Sequence, residues 1–178
     1  MKYFSKLKLY LIADANKRTK LLIKKNIFKS VGKNFFFQPR IIPDEPKLIS
    51  FGDNVVVASG VTFVTHDVID KVLNNMNYDI NFNYNCAPIE VGNNVFIGCN
   101  TTILPNVKIG NNVIIAAGSI INKDIEDGSI IGGNPAKRIG SFEEYITIRK
   151  EKNNCLLYPS DEAAIKFIWD KFNNEKNK

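Results

Sequence analysis

The chain has one histidine in 178 residues. A histidine-rich metal site is therefore excluded, and imidazole chemistry has only His66 to run through. The three cysteines, Cys86, Cys99 and Cys155, are odd in number and form no CxxC pair. Neither a disulfide framework nor a cysteine zinc site is expected, and no metal is called for. Long apolar runs are also missing. The uncharged apolar stretches are a few residues long, against the about 20 needed to span a bilayer. Lysines interrupt Lys2–Lys8 and no small-residue cleavage site follows an apolar core, so a cytoplasmic protein is expected. Acidic residues are scarce only at the start. Residues 1–30 hold nine Lys/Arg and one acid, Asp14, for a charge of +8, and the remainder holds 15 basic and 17 acidic residues, for −2. The formal net charge of +6 is thus the property of one short segment. A nucleic-acid surface needs basic residues interleaved with aromatics. Phe35, Phe36 and Phe37 lie just outside the basic segment, so no nucleic-acid partner is expected. Contact with a membrane surface or an anionic glycan through 1–30 stays open. The simpler reading is a capping helix with a solvated lysine face.

What the sequence does have is a period of six. Phe51, Val57 and Phe63, then Val91, Ile97, Ile103, Ile109, Ile115 and Ile121, are all apolar. The next residue is usually small, as at Gly52, Ala58, Gly92, Gly98, Gly110 and Ala116. Four positions on from the starts lie Val55, Val61, Val95, Thr101, Val107, Val113, Ser119 and Ile125, small or β-branched. Polar pairs such as Asp53-Asn54, Asn93-Asn94 and Asn111-Asn112 sit between. β-branched segments suit strands, and Gly or Asn accepts the positive φ of a tight turn cheaply. One such unit cannot bury its apolar face alone, but stacked coils share a core. Hairpins in a sandwich would recur every about 8–12 residues in looser register. An all-β solenoid of hexapeptide repeats is therefore expected, with α-helical segments at both ends. Val31–Phe36 fits one further unit and Phe37 starts another.

Two interruptions break the rhythm. Pro43–Lys47 reads as a short external loop, and 64–88 as a long insertion that opens with His66 and closes on Ala87-Pro88. A loop of that length inside a regular array is uncommon unless functional, and insertions gather on the binding face. The domain plan is a helical cap over 1–30, a catalytic repeat domain over 31–140 carrying the insertion 64–88, and a helical arm over 141–178. Leu7, Leu11, Leu21, Leu22, Ile27 and Phe28 carry the helical spacing of the cap. Ser160 is placed to cap the second helix of the arm, with Asp161 and Glu162 in its first turn. Ile165, Ile168, Trp169 and Phe172 share one face of that helix.

The repeat resembles the hexapeptide-repeat acyltransferases. Four stretches carry the likeness: Ile49–Val55, Val91–Gly98, Ala116–Asp124 and Gly132–Lys137. The last is a specific signature of the branch with galactoside, maltose, nodulation-factor and capsular-polysaccharide O-acetyltransferases. The resemblance covers roughly 60% of the chain and implies a left-handed parallel β-helix. The general rule for parallel crossovers would give right-handed turns. It also implies acetyl-CoA as co-substrate, a sugar hydroxyl as acceptor in surface-polysaccharide or glycan biosynthesis, and a homotrimer with sites between subunits. An N-acetyltransferase of an amino-sugar nucleotide, or a xenobiotic acetyltransferase of the chloramphenicol and streptogramin type, is the alternative.

The resemblance assigns residues as well. Val64-Thr65-His66-Asp67 matches the setting of the family's base, so His66 is the expected general base, with Asp67 as a candidate to orient it. Gln38 falls at an acceptor position, and Asp44 or Glu45 near the acidic acceptor ligand. Phe96, the Cys99 N–H, Ala117, Asn122 and Lys123 follow the family's cofactor groove. Lys137 and Arg138 are suited to nucleotide phosphates. Cys99 sits at a turn position, which argues against a covalent role.

Overall fold

A computed structural model describes residues 9–76, 78–151 and 162–176. They divide into two compact units, 1–143 and 144–178. The described residues of the first unit contain thirteen short strands: β1 (Ser30–Val31), β2 (Phe36–Phe37), β3 (Ile49–Phe51), β4 (Val55–Val57), β5 (Thr62–Phe63), β6 (Ile89–Val91), β7 (Val95–Ile97), β8 (Thr102–Ile103), β9 (Val107–Ile109), β10 (Val113–Ile115), β11 (Ile120–Ile121), β12 (Ser129–Gly133) and β13 (Ala136–Ser141). They form three sheets, β1-β3-β6-β9, β13-β12-β10-β7-β4-β2 and β11-β8-β5. Each strand from β3 to β8 pairs in parallel with the strand three places further along. Successive passages of the chain therefore stack strand on strand. Partners are 18 residues apart where the repeat is unbroken, as at Asn93 and Asn111. They are 40 apart where the insertion intervenes, as at Asp53 and Asn93.

The six-residue phase points every start residue inward. Phe51, Val57, Phe63, Val91, Ile97, Ile103, Ile109, Ile115 and Ile121 are all buried, as are the positions four residues on. Each fully buried Val, Ile or Phe contributes about 1.5–3 kcal/mol. Thr101 and Ser119, polar residues of the inner face, are satisfied through their hydroxyls by Ala116 O (3.3 and 2.6 Å). At the N-terminal end of the stack Phe28, Phe35, Phe37, Phe51 and Phe63 pack ring against ring, with Phe35 and Phe51 centroids 4.7 Å apart.

The polar pairs build one corner. The side-chain oxygens of Asp53, Asn93, Asn111 and Asp127 accept the backbone N–H of Lys33, Asp53, Asn93 and Asn111, each from the passage before, at 2.7–2.9 Å. The second residue of each pair, Asn54, Asn94 or Asn112, takes φ of 57°, 56° or 54°, which asparagine tolerates better than most residues. Close approach fixes another position. A Cβ on Gly98 would lie 2.5 Å from Ala117 N and 2.7 Å from Ile115 O.

The ends differ from expectation in detail. Helix α1 (Ala15–Lys24) is capped by Asp14, whose carboxylate accepts from Asn16 N and Lys17 N (2.8 and 3.1 Å). Its inward residues are Arg18, Thr19 and Leu22. Arg18 is buried and not part of a solvated basic face, because its guanidinium donates to the carbonyls of Ile12, Gln38 and Pro39. Ile27 and Phe28 are buried but lie beyond the helix. Pro43–Lys47 is more than an external loop. Pro43 and Pro46 are buried, and a 3₁₀ turn runs over Pro46–Leu48. The insertion holds α2 (Ile69–Asn74) and is tied by Asn74, which exchanges two hydrogen bonds with the Phe82 backbone (2.8 and 2.9 Å). The Gly132–Lys137 stretch spans the turn where β13 folds back antiparallel on β12. Then come α3 (Phe142–Glu151) and α4 (Glu162–Lys176). Ile165, Ile168, Trp169 and Phe172 of α4 are exposed. Leu7, Ser160 and Asp161 lie outside the described residues. No helix among those described is long and apolar enough to cross a membrane.

Candidate active site

His66 stands three residues past β5, where the repeat gives way to the insertion. The two ends of the insertion run side by side there. His66 bridges Cys86 in antiparallel fashion, Asp67 N–H donates to Asn85 O (3.1 Å) and Ala87 N–H donates to Thr65 O (2.9 Å). This short ribbon holds the imidazole at the root of the insertion, with 26% of its side chain exposed.

The carboxylate that meets the imidazole is Glu45, not Asp67. Nδ1 of His66 lies 2.7 Å from Glu45 Oε2. The Thr65 hydroxyl donates to the same oxygen (2.6 Å), and the Tyr84 hydroxyl donates to Oε1 (3.1 Å). The Tyr84 ring also lies against the imidazole, centroids 5.3 Å apart and planes 31° apart. Burial pushes the Glu45 carboxyl up, but the hydrogen bonds from Thr65, His66 and Tyr84 and the nearby imidazole outweigh it and hold the group below its ordinary 4.5. The Tyr84 phenol is pushed up to about 12, by burial first and then by the Glu45 carboxylate it donates to. Asp67 is turned elsewhere. Its oxygens accept from Asn85 Nδ2 (2.7 Å) and Ile69 N–H (3.0 Å), and these two bonds hold its carboxyl below the ordinary value. The reason is geometric: along an extended backbone, neighbouring side chains point to opposite faces.

The other expected residues fall in five places. Gln38 sits beside the corner at Ser59, whose N–H donates to Gln38 Oε1 (3.1 Å). Asp44 is exposed next to Glu45, and its charge acts on Tyr84. Phe96 lies 43% exposed on the outer face of the six-stranded sheet, in register between Val56 and Ile114. Cys99 and Ala117 occupy stacked corners, where Cys99 O accepts from Gly118 N–H (2.8 Å). Asn122, Lys123, Lys137 and Arg138 come together around one cavity of about 240 Å³, with Asp124 and Glu126 also on its wall. Lys123, Lys137 and Arg138 are exposed there, and Arg138 Nε donates to Gly140 O (3.4 Å). Within one chain this cavity shares no lining residue with the His66 cluster. Tyr84 was not singled out by the sequence, and Thr65 was named only as part of the Val64–Asp67 setting, with no role of its own. Nothing in a six-residue period marks residues inside a break of that period.

Residues 88–123 match the bacterial transferase hexapeptide model, described as six repeats. Protein CapG of Staphylococcus aureus is 50% identical over 103 residues, covering 58% of each chain. The galactoside O-acetyltransferase of Escherichia coli strain K12 is 36% identical over 115 residues, covering 64% of this chain and 54% of the enzyme. The chain thus spans a little over half the length of these relatives. Among solved structures, a galactoside acetyltransferase in complex with coenzyme A superposes with a TM-score of 0.60 at 28% identity, over 81% of this chain and 82% of that one. In its repeat and its stacked parallel sheets, the chain is similar to the hexapeptide-repeat acetyltransferases.

Proposed function

We propose that this chain is an acetyl-CoA-dependent O-acetyltransferase acting on a sugar hydroxyl, in surface-polysaccharide or related glycan biosynthesis, on a left-handed parallel β-helix. The observation that carries the reading is the only histidine of the chain, half-buried against a carboxylate at the root of the one long insertion in the repeat. The relatives named as acetyltransferases support the reaction class, and a galactoside as their acceptor supports the sugar.

The chemistry asks three things of the protein. A hydroxyl must lose its proton as it attacks, the reactants must be held together, and the developing oxyanion must meet fixed donors. Acetyl-CoA supplies a thioester carbonyl carbon open to attack. His66 takes the proton of the acceptor hydroxyl as its oxygen bonds to that carbon, and returns a proton to the departing thiolate. The Cys99 N–H is the expected oxyanion donor. Phe96 and Ala117 border the pantetheine arm, with Asn122 and Lys123 further along. Lys137 and Arg138 meet the phosphates. Their exposed cations around a cavity of about 240 Å³ fit an anionic nucleotide. Gln38 and Asp44 serve the acceptor. Since the cation cavity and His66 are apart within one chain, a site completed between subunits of a homotrimer fits the arrangement. The cytoplasm, with its acetyl-CoA, is the place of action.

The test is incubation with acetyl-CoA and a panel of sugars, amino sugars, nucleotide sugars and chloramphenicol, following free thiol. Mild alkali then strips O-acetyl and leaves N-acetyl. Thiol release with a neutral sugar and an alkali-labile product is expected. An alkali-stable product would move the chain to the N-acetyltransferases, and turnover with chloramphenicol alone to the xenobiotic ones.

A further inference from the structure

We propose that Glu45 is the positioning residue of His66, clamped by Thr65 and Tyr84, and not a ligand of the acceptor. The proposal rests on the reading of His66 as the base. An ionised carboxylate only accepts hydrogen bonds, so an imidazole nitrogen 2.7 Å from Glu45 Oε2 must carry the hydrogen. A neutral imidazole has one N–H. With it on Nδ1, the lone pair is on Nε2, the nitrogen left to take a proton.

The carboxylate is itself fixed from both sides. Thr65 and His66 donate to Oε2, and Tyr84 donates to Oε1. The three donors come from the start and the end of the insertion, and Glu45 comes from the other interruption of the repeat. A sugar hydroxyl binding this carboxylate would have to share oxygens already taken by three donors. The donors also keep the group ionised at neutral pH, since they hold its carboxyl below the ordinary range. Asp67 offers no rival contact, because its oxygens are engaged by Asn85 and Ile69.

One histidine makes the test direct. Imidazole-nitrogen NMR on full-length protein carrying isotope-labelled histidine reads a single ring, with no acceptor present. The wild type is expected to show Nδ1 protonated and Nε2 unprotonated near neutral pH, as two well-separated signals. Glu45→Gln offers an amide that accepts or donates, so the separation should collapse or reverse. Tyr84→Phe, which keeps the ring and removes one clamp, should give a smaller change. A wild-type ring protonated on Nε2, or a Glu45→Gln spectrum like that of the wild type, would overturn the proposal. If Glu45→Gln does not fold, the wild-type and Tyr84→Phe spectra still decide it. With any sugar that is turned over, Glu45→Gln should lower kcat and leave the sugar KM in place; a raised KM at unchanged kcat would make Glu45 an acceptor ligand. Full thiol release by His66→Ala would instead defeat the reading of the base, whatever the spectra show.

Discussion

Glu45 Oε2 stands 2.7 Å from His66 Nδ1 although 21 positions of sequence separate the two residues. The contact joins the two interruptions of an otherwise regular repeat. Its chemistry gives an acid-side signature. The folded Glu45 carboxyl lies below its ordinary 4.5, so its charge contributes stability that is present above that value and lost as pH falls through the folded pKa. Glu45→Gln carries no such charge. The stability advantage of the wild type over Glu45→Gln, measured by denaturant unfolding, should therefore shrink as pH is lowered from about 7 to about 3. An advantage that stays constant across that range would contradict the ionised, hydrogen-bonded carboxylate.

The corner at Gly98 leaves no room for a side chain. The nearest atoms to a new Cβ are the backbone N of Ala117 at 2.5 Å and the backbone O of Ile115 at 2.7 Å, and neither is the end of a flexible group. Gly98→Ala must push two stacked passages apart, and a loss of about 1–3 kcal/mol is expected. Gly118→Ala supplies the contrast, since nothing lies within 4 Å of its Cβ and its φ of 72° is the sole obstacle. Thermal or denaturant unfolding of the two variants separates crowding from backbone strain.

Lys137 and Arg138 test the cofactor end. Replacing both with Gln should raise the KM for acetyl-CoA about tenfold or more, with kcat little changed, because a hydrogen bond to a charged group contributes about 1.5–3 kcal/mol. The gap between wild type and variant should narrow with added salt. Steady-state kinetics with acetyl-CoA varied at two ionic strengths checks both points. An unchanged KM would remove these residues from the phosphates.

The repeat was readable because burial and period coincide. Each start residue from Phe51 to Ile121 points into the core, and the Asp53-Asn54, Asn93-Asn94 and Asn111-Asn112 pairs build the corner they suggested. The site was readable only in part. His66 stood out as the lone histidine at a break in the repeat. Glu45 was noticed through the resemblance, as a candidate acceptor ligand, but its partner depends on how two irregular segments fold onto each other, and no periodicity encodes that. Asp67 drew notice by adjacency, which in extended backbone turns a side chain away. Arg18 looked like one more solvated cation until the carbonyls of Ile12, Gln38 and Pro39 claimed its guanidinium. A lysine-rich segment gives no compositional sign of which cation will be buried.

The central claim is that His66 is the base of an acetyl transfer. Its most direct test is the rate of thiol release from acetyl-CoA with the best acceptor, wild type against His66→Ala, at matched folding. A loss of about 10²–10⁴-fold in kcat/KM is predicted, the usual scale of a positioned general base. A His66→Ala protein that releases thiol at the wild-type rate would contradict the account.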